Sequence, residues 1–366
     1  MLARPTADEA ARQQFVVSLK QALNKGLRSS QSELFERVVE PTWREAHGTS
    51  PQSRADIRSA MQADPAYRSW SSLARAAQEQ MWIAVGDSVF RERERLAATA
   101  AALDASPNRL GSLNLDPDFV PPRGVTAVDI HLQTGGYALD LGDGDCSAGA
   151  LYESGGNLYA FGQGISRSDS KAAHVQRFIA ERFPQLQPKR ILDMGCSAGS
   201  ASVPYADAFP DAEVHAIDVG AGMLRYAHAR AESLGVAVHF HQMDVGATRF
   251  EDESFDLIVS HNLMHEISAP TRRAMLRESR RLLRPGGVCV HQDVPLRFAG
   301  LSEFKKFEAS WDTLNNNEPY WEVYANAHLL PELLAAGFDP QCVHVGSLPA
   351  RAGTLPWFVA CAWRPV

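Results

Sequence analysis

The chain is predicted to be an α/β protein: a parallel sheet with helices on both faces in the C-terminal half, behind a mainly helical N-terminal region with a short Gly-rich β segment. Three observations predict it. From Lys171 onward, short apolar runs alternate regularly with amphipathic stretches. The first hundred residues carry apolar side chains at helical spacing and little strand patterning. Between the two, glycine pairs punctuate short apolar runs. Strands alternating with helices bury both faces of a parallel sheet, whereas clustered turn residues between apolar runs suit hairpins or loops.

Each element follows from local pattern. Phe15, Val16, Leu19, Ala22 and Leu23 share one helical face. From Pro65 to about Asp104, Trp70, Leu73, Ala77, Met81 and Val85 form a stripe, and Gly86-Asp87 is expected to divide the run into two helices. Pro117, Pro121 and Pro122 mark an irregular connector. Between Val125 and Gly164, Gly135-Gly136, Gly142-Asp143-Gly144 and Gly155-Gly156 suggest β-hairpins or a Gly-rich loop, with Tyr137, Tyr152, Tyr159 and Phe161 expected to pack there. The later rhythm gives helices at 171–183, 199–209, 221–234 and 270–283, and strands at 189–194, 213–218, 237–243, 255–260 and 287–293. The expected division is 1–165 and 166–366.

Composition narrows the function classes. The 366 residues are 45% hydrophobic and 22% charged, which supports a sizeable core. A net charge of -7 argues against a broad grip on nucleic acid or anionic membrane, both of which need clustered positive charge. The five cysteines are scattered without a CxxC pair, as expected of reduced thiols in a cytoplasmic protein. Asp8 and Glu9 stand where a secretory signal needs apolar residues, and no apolar run approaches the ~20 residues that span a bilayer. A soluble protein with a small-molecule partner is expected.

The sharpest signal is Ile191-Leu192-Asp193-Met194-Gly195-Cys196-Ser197-Ala198-Gly199, a buried strand running into small residues and then a helix. Glycine at such a junction lets the backbone approach a ligand closely. The positions of Gly195 and Gly199 do not match the dinucleotide spacing, and the acidic Asp193 would repel a pyrophosphate but suit an ammonium. Two further strands end in carboxylates, Asp218 and Met243-Asp244, which suit ribose hydroxyls and an adenine amino group. Ligands of open α/β sheets bind at the carboxyl ends of strands, so the three carboxylates are expected to converge on one crevice.

Asp193 to Gly199 resembles motif I of class I S-adenosylmethionine-dependent methyltransferases, with Ser197 in place of the middle glycine of G-x-G-x-G. Asp218 and Asp244 match that family's ribose-side and adenine-side acidic residues. Phe255 to Ser260, Arg284-Pro285-Gly286-Gly287, Leu333 to Phe338 and Trp357 to Ala362 resemble its later strands, turn and closing elements. The resemblance covers about residues 170–366. It implies a Rossmann-like seven-stranded sheet and S-adenosyl-L-methionine bound by Asp193, Gly195, Ser197, Gly199, Asp218, Met243, Asp244 and His261.

Methyl transfer is an in-line displacement, so catalysis is largely positioning, and an oxygen or carbon acid must also lose a proton. His265-Glu266 resembles the His-Asp pair after the fourth strand of caffeate-type O-methyltransferases, with Ile267 where tryptophan is usual there. The resemblance gives His265 as general base, with Glu266 beside it, and a small-molecule acceptor methylated at oxygen. Carbon or nitrogen methylation, a metal-assisted reaction on a 2-oxo acid, and a non-catalytic cofactor-binding regulator remain open. His291 and Asp293, at the next strand end, and Trp321 and Tyr324, in the aromatic insertion 295–328, are the expected acceptor contacts. His261, His265, His291 and Asp293 are metal-capable types, but no ligand spacing ties them together, and no metal is expected. Phe304, Phe307 and Trp311 at helical spacing are expected to pack onto the sheet. The N-terminal helices are expected to act as lid, homodimer surface or both.

Overall fold

The apolar runs become the strands of one sheet in the computed structural model, which describes residues 1–142, 144–159, 170–348 and 356–366. The strands are β1 (Ser112–Asn114), β2 (Arg190–Met194), β3 (Glu213–Asp218), β4 (His239–Gln242), β5 (Phe255–His261), β6 (Leu283–Asp293), β7 (Val343–Ser347) and β8 (Phe358–Trp363). Their order across the sheet is β1-β4-β3-β2-β5-β6-β8-β7. The strands from β1 to β6 pair in parallel, and β8 runs antiparallel to both β6 and β7. The chain winds outward from β2 to β4 and then crosses to β5 on the other side of β2. Chain direction therefore switches between β2 and β5, where open α/β sheets form their ligand crevice.

The sheet has eight strands, one more than the seven expected. The addition is β1, three residues from the N-terminal region lying beside β4. It docks closely because Gly111 precedes it: a Cβ there would sit 2.1 Å from the Val238 carbonyl oxygen. A three-residue strand has too little pattern to read from sequence.

Three N-terminal helices bear on the site. Helix α1 (Ala7–Ala22) starts with a capping box between Thr6 and Glu9. Helix α2 (Pro65–Arg91) runs through Gly86; the stretch does divide into two helices, but at Glu92, ahead of a helix over Arg93–Asp104. Buried Met81, Val85 and Val89 on either side of the glycine hold the helix, and that packing outweighs the roughly 1 kcal/mol helix penalty of one glycine. Helix α3 (Ser147–Tyr159) lies where hairpins or a Gly-rich loop were expected; among described residues 125–159 there is no strand. Its glycines serve close packing: a Cβ on Gly149 would lie 2.3 Å from Tyr226, and one on Gly155 2.3 Å from Trp82. The backbone of Phe161 and the side chain of Tyr159 lie outside what is described, as does the expected division at 165–166.

The helices α4 (Ser170–Arg182), α5 (Ser202–Ala208), α6 (Ala221–Ser233) and α7 (Ala269–Leu282) fall close to the ranges expected from sequence. Two apolar cores form on the two sheet faces, one around Ile191, Val214, Phe240 and Val259, the other around Leu192, Ile217, Ile258 and Cys289. Alternate residues along β2, β3 and β5 divide between them, as a pleated strand requires. Phe304, Phe307 and Trp311 do not pack onto the sheet as expected. They join Phe35, Met61, Tyr67 and Trp70 of the N-terminal helices in a separate cluster, with Phe35 and Phe304 stacked at 4.5 Å. Among the described residues no helix is long and apolar enough to cross a membrane.

Candidate active site at the carboxyl edge of the sheet

A cavity of about 700 Å³ opens at the switch point beyond β2, β3, β4 and β5. That volume lies within the roughly 300–1,000 Å³ of small-molecule sites. Of the residues singled out in the sequence, Gly195, Ser197, Asp218, Asp244, His261, His265, Glu266 and Trp321 line it.

The turn after β2 bends through three left-handed residues, Gly195 (φ 71), Ser197 (φ 44) and Gly199 (φ 71). Ser197 thus holds a conformation that glycine adopts without cost. The turn is fastened from β3. Asp218 accepts from the Ser197 amide at 3.0 Å on one oxygen and from the Gly220 amide at 3.0 Å on the other. Burial raises the Asp218 pKa. The Val219 amide also acts on this carboxylate, which still keeps lone-pair capacity for a ligand hydroxyl. Asp244, two residues past β4, takes the Gly246 amide at 2.7 Å and also faces the cavity.

Other expected contacts lie behind the wall. Asp193 is 1% exposed and accepts from the Ser202 hydroxyl at 2.7 Å, so it fastens the start of α5 and does not line the cavity. Gly199 faces Phe240 and Ala227, and Met243 is buried in the second core. The His291 ring is fully buried between the hydroxyls of Ser260 (2.9 Å) and Ser279 (3.2 Å), which keeps it from an acceptor; burial lowers its pKa to about 4. Tyr324 is likewise buried, its hydroxyl donating to the Val294 carbonyl at 3.0 Å, so it supports the wall.

His265 sits just past β5. Its Nδ1 meets Asp293 Oδ1 at 2.5 Å and its backbone amide donates to Asp293 Oδ2 at 3.2 Å. Asp293, fully buried at the end of β6, therefore orients His265 without lining the cavity. The ring's Nε2 lies 3.3 Å from Glu266 Oε1, and the Trp321 indole stands edge-on at 5.3 Å. Burial alone would lower the His265 pKa, but Asp293 and Glu266 outweigh it and hold the imidazole well above its ordinary value.

The N-terminal region supplies the opposite wall, which the sequence did not reveal. Trp82, His131, Tyr137 and Tyr152 line the cavity, so both tyrosines face it and do more than the expected packing. His131 Nε2 lies 2.8 Å from Glu266 Oε1, and Nδ1 lies 3.1 Å from Glu318 Oε1. The Tyr137 hydroxyl donates to Glu266 Oε1 at 3.0 Å. Burial would lower the His131 pKa, yet Glu266 and Glu318 raise it well above the usual value. Burial would raise that of Glu266, whereas His131 and His265 pull it far below the carboxylate range. Tyr137 and Tyr152 stood out in the sequence only as packing residues, and nothing in the pattern around His131 pointed to this wall.

Fold and crevice fit the class I S-adenosylmethionine-dependent methyltransferase domain that the sequence resembles. More particularly, residues 191–287 match the family model described as "Methyltransferase domain". A malonyl-[acyl-carrier protein] O-methyltransferase of Methylococcus capsulatus is 39% identical over 137 residues, 35% of this chain and 47% of that protein. Phosphoethanolamine N-methyltransferase 1 of Arabidopsis thaliana is 31% identical over 145 residues, 39% of this chain and 28% of that one. Among solved structures, a Haemonchus contortus phosphoethanolamine N-methyltransferase 2 complex with S-adenosylhomocysteine is similar at 18% identity and a TM-score of 0.42, covering 52% of each chain. The chain thus spans less than half the length of both curated relatives.

Proposed function

We propose that the protein transfers the methyl group of S-adenosylmethionine to a small-molecule acceptor, with oxygen as the favoured acceptor atom. The observation that carries this reading is the single cavity that joins Asp218 and Asp244 to His265. Asp218 would hold the ribose diol and Asp244 the adenine side, with Gly195 and Ser197 bringing the backbone against the nucleoside.

The acceptor would then lie between His265, Glu266 and Trp321. Asp293 fixes the tautomer and direction of His265, the arrangement that makes a histidine an effective proton acceptor. Its raised pKa makes it a strong base that must first shed its own proton, so turnover should rise with pH beyond the ordinary imidazole range. Transfer forms the acceptor O–CH3 bond as the sulfonium S–CH3 bond breaks, S-adenosylhomocysteine leaves, and the acceptor proton passes to His265.

The test is release of S-adenosylhomocysteine with a panel of phenols, carboxylic acids, 2-oxo acids and amines. Turnover with a hydroxyl or carboxyl compound that falls about 10²-fold or more in His265→Ala supports the reading, from the usual worth of a positioned base. Turnover with amines alone would overturn the choice of oxygen. Cofactor binding without turnover on any class would favour a regulator.

A further inference from the structure

The geometry points to a divalent transition-metal site formed by His131 Nε2, His265 Nε2 and the Glu266 carboxylate, at the acceptor end of the cavity. The three side chains bring one ligand atom each to within 4.8 Å of one another. The two nitrogens lie 2.8 and 3.3 Å from the same Glu266 oxygen. Ligands about 2.1 Å from a metal and at right angles stand roughly 3.0 Å apart, so these spacings already match adjacent corners of a coordination octahedron. Two imidazoles and one carboxylate on one face leave the other positions open to water or ligand. All three residues line the cavity.

The surroundings are those of a built site. A metal-bound histidine usually gives its second ring N–H to a carboxylate, which fixes the ring and strengthens the ligand. Both histidines have a carboxylate there: Asp293 on Nδ1 of His265, and Glu318 at 3.1 Å on Nδ1 of His131, beside the Asn316 side-chain amide, also at 3.1 Å. Glu318 is 3% exposed, and its second oxygen, like the second oxygen of Glu266, is buried with no hydrogen-bond partner among the described residues. Buried carboxylate oxygens left unpaired are costly and ask for a cation or donor.

The backbone is also held for this purpose. His131 and Leu132 are both left-handed, at φ 56 and 62. The His131 carbonyl is pinned by the Trp82 indole at 2.6 Å and the Gln78 amide at 2.9 Å. Strained residues fastened from several sides concentrate at functional sites.

A cation here would bind an acceptor through oxygen and favour its ionised form, which makes chelating oxygen compounds the acceptor class. That last step rests on the proposed methyl transfer, whereas the metal site rests on geometry alone. With metal bound, His265 would be a ligand, and the acceptor's proton would be lost to solvent on binding.

The experiment is a titration of the metal-stripped full-length protein with Co²⁺, read by calorimetry and by the visible absorption of the bound ion, with S-adenosylhomocysteine binding measured in parallel. One Co²⁺ per chain is expected, weakened at least tenfold in His131→Ala and in Glu266→Gln, with S-adenosylhomocysteine affinity changed less than about threefold. If His131→Ala misfolds, Glu318→Gln keeps all three ligands and should still weaken Co²⁺ by about tenfold. Protein that binds S-adenosylhomocysteine but no Co²⁺ overturns the metal site and leaves the methyl-transfer reading standing. Equal Co²⁺ affinity in Glu266→Gln and in either His131→Ala or Glu318→Gln also overturns it, since the ion would then be held elsewhere. Co²⁺ binding without S-adenosylhomocysteine binding supports the metal site and defeats the methyl-transfer reading.

Discussion

Replacing Asp218 by asparagine tests the cofactor half of the crevice most directly. The carboxylate lies at the end of β3 with the Ser197 amide on one oxygen and the Gly220 amide on the other, both at 3.0 Å, and the Val219 amide beside them, which leaves lone-pair capacity for a ligand hydroxyl. Asparagine keeps the shape but turns one oxygen into a donor and removes the charge. One charge-assisted hydrogen bond to ribose is lost, worth about 1.5–3 kcal/mol, which corresponds to roughly 10–100-fold weaker binding. One backbone amide also loses its acceptor, costing about 1–3 kcal/mol of stability and a lower Tm. Calorimetric titration with S-adenosylhomocysteine reads the first effect and thermal unfolding the second. An analogue lacking both ribose hydroxyls separates them, because it should bind wild type and Asp218→Asn equally. Undiminished affinity of the variant for S-adenosylhomocysteine, or an equal loss for the analogue, would refute Asp218 as the ribose anchor.

Other variants probe the supports. Asp293→Asn should lower kcat about 10²-fold with little change in the KM for S-adenosylmethionine, since the carboxylate orients His265 from behind the wall; steady-state kinetics against the cofactor check it. Burial lowers the His291 pKa to about 4, so on acidification below ~6.5 the unfolded chain takes the proton first; stability from this group is full above ~6.5 and lost as pH falls toward 4, by about 3 kcal/mol. Urea unfolding of His291→Gln should accordingly vary less with pH over that window than wild type. Gly155→Ala places a methyl group 2.3 Å from the Trp82 ring and should cost about 1–3 kcal/mol in urea unfolding, because α2 or α3 must shift.

The elements that chain order makes local were legible in the sequence. Strands β2, β3 and β5 carry apolar residues on successive positions because both of their faces are buried, and Asp193 and Asp218 stand at or next to the ends of two of them. Glycine misled twice for one reason. Gly86 and Gly155 read as breaks, yet each sits in a helix whose neighbours, Phe90 and Trp82, crowd the place a Cβ would take. Glycine marks close approach as readily as a turn, and only the partner decides which. His131 was invisible because its role depends on Glu266, 135 positions away, and on Glu318 beyond that. Asp193 illustrates the converse: the residue type was noticed, but whether it meets ligand or Ser202 depends on how α5 begins.

The division of labour within the cavity also bears on what the relatives can teach. The family match ends at residue 287 and contains Gly195, Ser197, Asp218, Asp244, His261, His265 and Glu266. Two further walls come from outside it: Trp82, His131, Tyr137 and Tyr152 before, and Asn316, Glu318 and Trp321 after. Phe304, Phe307 and Trp311 bind the later segment to the N-terminal helices, so these two walls are fastened to each other as well as to the sheet. The family match therefore covers the edge of the sheet and not these two walls. On the proposed reading, the acceptor end is built by segments that close on His265 and Glu266 from both sides. Selectivity among acceptors should accordingly change with His131, Glu318 and Trp321 before it changes with any residue of the turn after β2.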